Sequence, residues 1–344
     1  MRFNASRKVD NLLYFIVLLL LSASLSCTKY PEPVILSTLD VTEVTSASAT
    51  SGGVIVYGEE TGISRVGLVW GTTHDPSLES HAGKLTSQVT NPRFEEVVAG
   101  LEPSTLYYIR AWAMRGNEII YGNELHFTTF YGAVTDIDGN TYNTVKAGGL
   151  EWMGSNLTTS RYSNGDAISN ITGVFEWRTA SEGAWSYYLH SEELGKTYGK
   201  LYNWHAVSDN RGLCPAGWHV PSDEEWKMLE TGMGMTQDDA DRAGLRDRYA
   251  GGSLKANGTE YWRNPNMLAT DLIGFAALPG GYMHPDGRFY TLRRNANWWT
   301  STDQDENNAI YRNIYFNNGG IYRNRYNQSS GFSVRCVRKP GNGS

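Results

Sequence analysis

Short apolar or alternating runs, punctuated by Gly, Ser, Asn and Pro, set the rhythm of this chain, and they read as strands joined by tight turns. From Val34 to Thr129 the pattern is all-β. Gly53–Gly58 and Val66–Trp70 are apolar strands bounded by Gly and Ser. In the run after Leu101, Tyr107, Ile109, Ala111 and Ala113 share one strand face, while Tyr108, Arg110 and Trp112 take the other. Gly122–Thr129 supplies a last strand. Beyond it, Asp136-Ile-Asp138-Gly-Asn140 sits between alternating flanks. That is a hairpin signal rather than a calcium loop, since an EF-hand count meets Thr141 where Gly belongs and Ala147 where Glu belongs.

The pattern changes after residue 150. Leu150–Leu157 is a strand, residues 158–195 are loop-rich with interleaved aromatics, and Tyr198–Ala206 reads as a short helix. Cys214-Pro-Ala-Gly-Trp218-His-Val-Pro221 is an extended run that stops at proline. Ser222 then caps a helix, with Glu225 three residues on to complete a capping box. Asp223 and Glu224 favour its first turn, and Trp226 and Leu229 mark its inward face. Gln237–Arg248 is polar and reads as a solvated loop or surface helix. Leu272–Tyr282 is an apolar run ended by Pro and Gly, and Trp298–Thr302 is a strand. Asn317-Asn-Gly-Gly320 turns a hairpin between Ile310–Phe316 and Ile321–Tyr326, and Gly331–Arg338 alternates as a final strand centred on Cys336.

The hairpin carries the candidate ligand surface. Period-two alternation gathers Tyr311, Asn313, Tyr315, Tyr322, Asn324 and Tyr326 on one face, a composition suited to stacking and hydrogen bonding. The opposite face mixes aliphatics with Arg312, Arg323 and Arg325. It is assigned to the core side, with the Arg heads reaching out at its edge.

A length of 344 residues suggests two globular units, and 12% aromatic residues with 37 glycines favour β-rich structure. A formal charge of −6 argues against general nucleic-acid binding, which needs clustered Lys and Arg. Locally the balance reverses, with nine basic against three acidic residues from Arg288 to Lys339. The N-terminus has a basic start (Arg2, Arg7, Lys8), an apolar run from Leu12 to Leu21 that is too short to span a membrane, and small residues up to Cys27. It resembles a bacterial lipoprotein signal, residues 1–26, with Cys27 as the lipidated new N-terminus; Ser24 departs from the usual aliphatic. Thr28 in place of Asp favours the outer membrane, and the expected location is an outer-membrane lipoprotein facing the cell exterior. Residues 27–33 form a tether stiffened by two prolines. With Cys27 set aside, Cys214 and Cys336 remain as an even pair in an oxidising compartment, and a structural disulfide follows. Too few cysteines are present for a zinc site of that type, and no metal or cofactor is expected.

Two resemblances organise these pieces. The Leu101-x-Pro103-x-Thr105-x-Tyr107 spacing is similar to the tyrosine corner of a fibronectin type III sandwich, over residues 34–130. Tyr198-Gly-Lys-Leu-Tyr-Asn-Trp204, Cys214–Trp226, Gly274-Phe-Ala-Ala-Leu-Pro-Gly-Gly-Tyr282, Trp298-Trp-Thr-Ser-Thr302 and Ser333-Val-Arg-Cys-Val-Arg338 stand in one order with the Asp-Ile-Asp-Gly hairpin. Together, over residues 134–339, they closely resemble the Fibrobacter succinogenes major paralogous domain. That resemblance implies a variant of the C-type-lectin-like fold, shared with formylglycine-generating enzymes, in which a helix-proximal Cys pairs with one on the last strand. The expected architecture is thus an all-β immunoglobulin-like, fibronectin type III-like sandwich followed by an α+β C-type-lectin-like domain.

For function, the leading expectation is a surface-anchored, non-catalytic binding module for a glycan or a cell-surface protein. The alternative is a structural or adhesive subunit of a surface or fimbrial assembly. An oxidase like the formylglycine-generating enzymes would need an active-site cysteine pair, and here both remaining cysteines stand at structural positions. His205 and His219 lie among aromatics and read as structural, and no catalytic residue is assigned.

Overall fold

The computed structural model describes residues 33–58, 62–88 and 91–341, so the signal-like segment and Cys27 lie outside the described residues. The first unit is a sandwich of two antiparallel sheets. One pairs Ile35–Thr38, Ser48–Tyr57 and Arg93–Ala99. The other runs Gly83–Ser87, Ile63–Gly71, Leu106–Arg115 and Glu118–Tyr121, with Leu125–Thr128 also pairing against Leu106–Arg115. Tyr107, Ile109, Ala111 and Ala113 all point into the core, as the alternation requires. Trp112 faces the other way yet is also buried, because its indole donates to the carbonyls of Leu68 and Leu85 at 3.3 and 3.2 Å. The Tyr107 hydroxyl accepts the Glu102 amide at 3.0 Å, which is the hydrogen bond of a tyrosine corner. Sheet order and corner together make this unit fibronectin type III-like.

In the second unit, Gly132–Thr135, Thr141–Ala147, Leu150–Met153 and Val337–Arg338 form one antiparallel sheet, so its first and last segments lie side by side. The Asp136–Asn140 turn is a hairpin turn. The Asp136 carboxylate accepts the amides of Asp138 and Asn140 and the Tyr142 hydroxyl, which ties the turn to the core. A second sheet runs Gly244–Arg246, Ile321–Asn327, Asn308–Tyr315, Asn295–Asp305. Both faces of this sheet are covered along Asn295–Thr300. Trp298 and Trp299, neighbours that point to opposite sides, are each fully buried. Trp298 meets Trp226 and Phe275 at ring separations of 5.8 and 5.9 Å, and Trp226 meets Trp152 at 5.2 Å. On the far side Trp299 packs on Phe332 at 4.4 Å.

The helix Asp223–Gly232 forms as its capping box predicts, with Ser222 and Glu225 exchanging side-chain and backbone bonds. Trp226 and Leu229 are completely buried; a fully buried Leu contributes about 1.5–3 kcal/mol. Cys214 and Cys336 are joined in a disulfide with Cα atoms 5.9 Å apart. Neither sulfur is therefore a free thiol.

Three expectations need correction. Tyr198–Ala206 is not one helix: Leu201–Tyr202 is a short strand, and the helix Trp204–Ser208 begins only after Asn203, whose side chain accepts the Ala206 amide. The positive φ of Gly199 (80°) keeps the helix before it, Glu192–Tyr198, from running on. Gly331–Arg338 is not an alternating strand either. Ser330 to Val337 are all buried, and only Val337–Arg338 is regular, because the segment threads between the two cores rather than along a surface. Finally, the polar stretch from Gln237 is only partly solvated, since Arg246 at its end is fully buried.

Candidate functional site

The hairpin forms between Asn308–Tyr315 and Ile321–Asn327, with Tyr311 opposite Asn324 and Asn313 opposite Tyr322, a register that keeps the expected residues on a common face. Its aliphatic–arginine face lies against the capped helix. Here Arg312 and Arg323 turn inward, whereas Arg325 reaches out as expected, exposed beside Asp305 at 3.8 Å. Arg312 is fully buried, with Nε 2.7 Å from Glu230 Oε1 and Nη1 2.7 Å from Asp223 Oδ1. Arg246 grips the same Glu230 through both terminal nitrogens at 2.8 and 2.7 Å, and Arg323 binds Asp223 at 2.7 Å. Burial alone would raise the Asp223 carboxyl, but hydrogen bonds and charge from Arg323 and Arg312 overrule it and hold the group at about 2. The physical reason for the inward turn is the complementary charge: two helix carboxylates leave a buried negative site that these guanidinium groups fill, with Lys227 also 3.6 Å from Asp223 Oδ2.

The local basic excess is resolved the same way. Arg338 pairs with buried Glu151 at 2.7 Å. Arg335 is buried, donates to the carbonyls of Met153, Phe275 and Ala276, and stacks 4.0 Å from the Phe275 ring centre. Much of the charge that looked like a binding patch is internal wiring.

The Tyr/Asn face divides in two. Asn313 is withdrawn from it: the residue is 2% exposed, and its amide donates to Asn297 Oδ1 and the Ala296 carbonyl. Asn297, in register with Asn313 on the neighbouring strand, continues the ladder to the Gly281 carbonyl at 3.0 Å. Tyr311 is half-buried against Phe332 at 4.9 Å, and its hydroxyl is pushed up by burial and by Tyr315 and Tyr326 nearby. The cause is the second core, which sequence alternation on the hairpin alone does not register. Tyr315, Tyr322, Asn324 and Tyr326 remain partly exposed. Tyr315 and Tyr322 meet edge-on at 5.2 Å.

The structure adds aromatics from a hairpin the sequence reading passed over, Tyr282–Met283/Phe289–Tyr290. Tyr282 stacks on Tyr290 at 5.7 Å and meets Tyr326 edge-on at 5.9 Å; His284 lies 5.8 Å from Tyr290 and 6.4 Å from Tyr326. Tyr290, Tyr282, Tyr326 and Tyr311 thus form a continuous ring-to-ring series across two hairpins. The short spacing Tyr282-x-His284 beside Pro285-Asp-Gly287 was the available signal, a strand-and-turn pattern too brief to stand out. Of the two histidines singled out in the sequence, His219 Nε2 lies 2.7 Å from Glu225 Oε1 of the capping box, and His205 sits in the short helix with its pKa lowered by burial.

Comparison with known proteins places these features. The sensor domain of the anti-sigma factor RsgI4 in Pseudobacteroides cellulosolvens is 17% identical over 28% of this chain and 95% of its own, with a TM-score of 0.22. The fibronectin type-III domain of human fibronectin type III domain containing protein 3 is 16% identical over 29% of this chain and 85% of its own, with a TM-score of 0.21. The fold assignment of the first unit rests on its own sheet order and tyrosine corner rather than on these likenesses. No curated protein matches the chain in sequence. The Fibrobacter succinogenes major domain matches residues 145–338, which hold the capped helix, the disulfide, the buried ion network and the tyrosine series. With more than half of its length inside that match, the chain belongs to the Fibrobacter succinogenes major domain family.

Proposed function

We propose that this protein is a non-catalytic binding module displayed on the outside of the cell, tethered to the outer membrane through a lipid on Cys27. The fibronectin type III-like unit acts as the stalk and the second unit as the head. The reading of the head as a C-type-lectin-like variant is supported by the pairing of its first and last segments and by a disulfide from the helix-proximal Cys214 to Cys336. The ligand is a glycan or a cell-surface protein.

The observation that carries this reading is the partly exposed tyrosine series on two hairpins, backed by a sheet buried on its other face. Rings held rigidly from behind lose little freedom on binding, and their hydroxyls and the neighbouring Asn324 amide give direction to a stacked ligand. The test is a screen of the detergent-solubilised full chain against arrays of glycans and of surface proteins. Saturable, selective capture of one class supports the binding module. Self-assembly into filaments with no capture would replace it with the adhesive-subunit alternative.

A further inference from the structure

Away from the tyrosine series lies an open cleft of about 1090 Å³. Its walls come from segments distant in sequence: the Asp138–Tyr142 side of the first hairpin, residues 154–160, and the helix Glu192–Tyr198 with the two residues after it. Gly199 and Lys200 of the Tyr198-Gly-Lys-Leu-Tyr-Asn-Trp204 stretch line one wall, and the rest of the stretch anchors that wall from behind. The Tyr198 carbonyl accepts from Asn156 Nδ2 at 2.8 Å, the Tyr202 hydroxyl donates to the Thr159 carbonyl at 2.6 Å, and Trp204 Nε1 donates to the Thr300 carbonyl at 3.0 Å. Gly199 combines a φ of 80° with a backbone approach so close that an added Cβ would stand 2.7 Å from Asn156 Cβ. Gly195 lies flat on the Tyr187 ring, 2.1 Å from where its own Cβ would be.

Lys200 is the buried cation in this wall that has no ion-pair partner among the described residues. It is 3% exposed, yet its ammonium makes one hydrogen bond, to Ser160 Oγ at 2.7 Å, and otherwise faces the Trp185 ring at 3.8 Å and the Tyr187 ring at 5.6 Å. Among the described residues it forms no salt bridge. The carboxylates nearest in effect are already engaged. Asp138 accepts the Ser160 amide at 2.5 Å and pairs with Arg161 at 3.3 Å, and Asp136 is held by its own turn and by Tyr142. The other buried cation on the cleft, Arg335, spends its donors on carbonyls and on Asn156. Burial pushes the Lys200 ammonium down to about 8 while Asp138 and Asp136 hold it up, so it is charged at neutral pH. An ammonium fixed in a wall with donors to spare is a site waiting for an anion.

We propose that this cleft is a second binding site, for a carboxylate-bearing saccharide such as a uronic-acid oligomer, with Lys200 as the counter-ion of its carboxylate. The rest of the lining fits the sugar rather than a polyanion. Asn140, Thr141, Ser155 and Thr158 offer amides and hydroxyls, Tyr261 offers ring surface, Lys196 is paired with Glu193 at 3.3 Å, and Asp138 and Glu192 would repel a second negative charge close by. The volume accommodates a few sugar rings rather than one. The site is independent of the tyrosine series.

The test uses the detergent-solubilised full chain and three probes: a uronic-acid oligosaccharide, the same oligosaccharide with its carboxyls reduced to alcohols, and an acidic peptide of equal charge. The wild type is expected to bind the uronic oligosaccharide roughly tenfold or more tightly than the reduced one, the effect of one charge-assisted hydrogen bond. Lys200→Met is expected to erase that preference at an unchanged melting temperature, and Tyr315→Ala/Tyr322→Ala to leave it intact. In the wild type, the oligosaccharide should also protect Lys200 from an amine-acylating reagent, read by peptide mass mapping, which does not depend on the variant folding. Equal binding of the reduced sugar, no protection of Lys200, or tighter binding of the acidic peptide than of the sugar would each overturn the proposal.

Discussion

Removing the Glu230 carboxylate tests the buried network most severely. Glu230 is completely buried and meets three guanidinium nitrogens at 2.7–2.8 Å, two from Arg246 and one from Arg312. In Glu230→Ala, Arg312 keeps Asp223, but Arg246 keeps only the Ala240 carbonyl at 2.7 Å. Stranding a buried charge in this way costs about 3–5 kcal/mol. The pair itself is a different matter, because burying both ions costs solvation that their attraction only partly returns. Glu230→Leu with Arg246→Met should therefore lose about 1–3 kcal/mol less than Glu230→Ala alone. The assay is native-state hydrogen exchange in urea, which does not screen charge, read at amides of the helix Asp223–Gly232 and the strand Asn308–Tyr315. Site-resolved exchange isolates the head from the stalk, whose unfolding a global probe would mix in. A loss under about 1 kcal/mol in Glu230→Ala, or a double variant worse than the single, would refute the reasoning.

Further outcomes follow from the same geometry. Reduction of Cys214–Cys336, or its replacement by two serines, releases a cross-link spanning 122 residues of sequence and should cost about 4–5 kcal/mol by the chain-entropy account; free thiols at both positions in exported protein, found by peptide mapping, would contradict the bond. Asp223 is held at about 2 in the folded chain against an ordinary 3.8, so its contribution is complete above about pH 4 and lost as pH falls toward 2. Asp223→Asn should lower stability at neutral pH and flatten that acid-side loss, and a wild-type stability level between pH 4 and 2 would count against it. Labelling with a fatty-acid analogue should mark the wild type and not Cys27→Ala, and equal labelling of both removes the anchor.

What the sequence made legible was local. The capped helix announced itself because Ser222, Glu225, Trp226 and Leu229 are within one or two turns, and the hairpin because Asn317-Asn-Gly-Gly320 supplies its own turn chemistry. The tyrosine corner needed only Leu101 to Tyr107. Face assignments failed where partners came from afar. Arg312 turns inward because Asp223 and Glu230 lie across from it, 89 and 82 residues earlier in the chain. Asn313 is buried because a second core, built around Tyr202, Cys214 and Phe332, covers the side that alternation left open. Where a sheet is buried on both faces, as along Asn295–Thr300, it does not show the one-sided pattern on which such assignments depend. The Lys200 cleft was hidden for the same reason: its walls are brought together only by the fold, although the stretch that forms one of them stood out as a motif.

The most direct test of the Tyr/Asn face, where the pair Tyr315 and Tyr322 shares the hairpin with the tyrosine series, as the ligand surface separates binding from folding. The full chain and its Tyr315→Ala/Tyr322→Ala variant are compared for capture of the ligand found by array, alongside their melting temperatures. These rings are partly exposed and pack chiefly on each other, so the account predicts capture lost by at least roughly tenfold while the melting temperature stays within a few degrees. Capture retained at full strength, or a melting temperature that collapses together with binding, would show the rings to be part of the core and contradict the account.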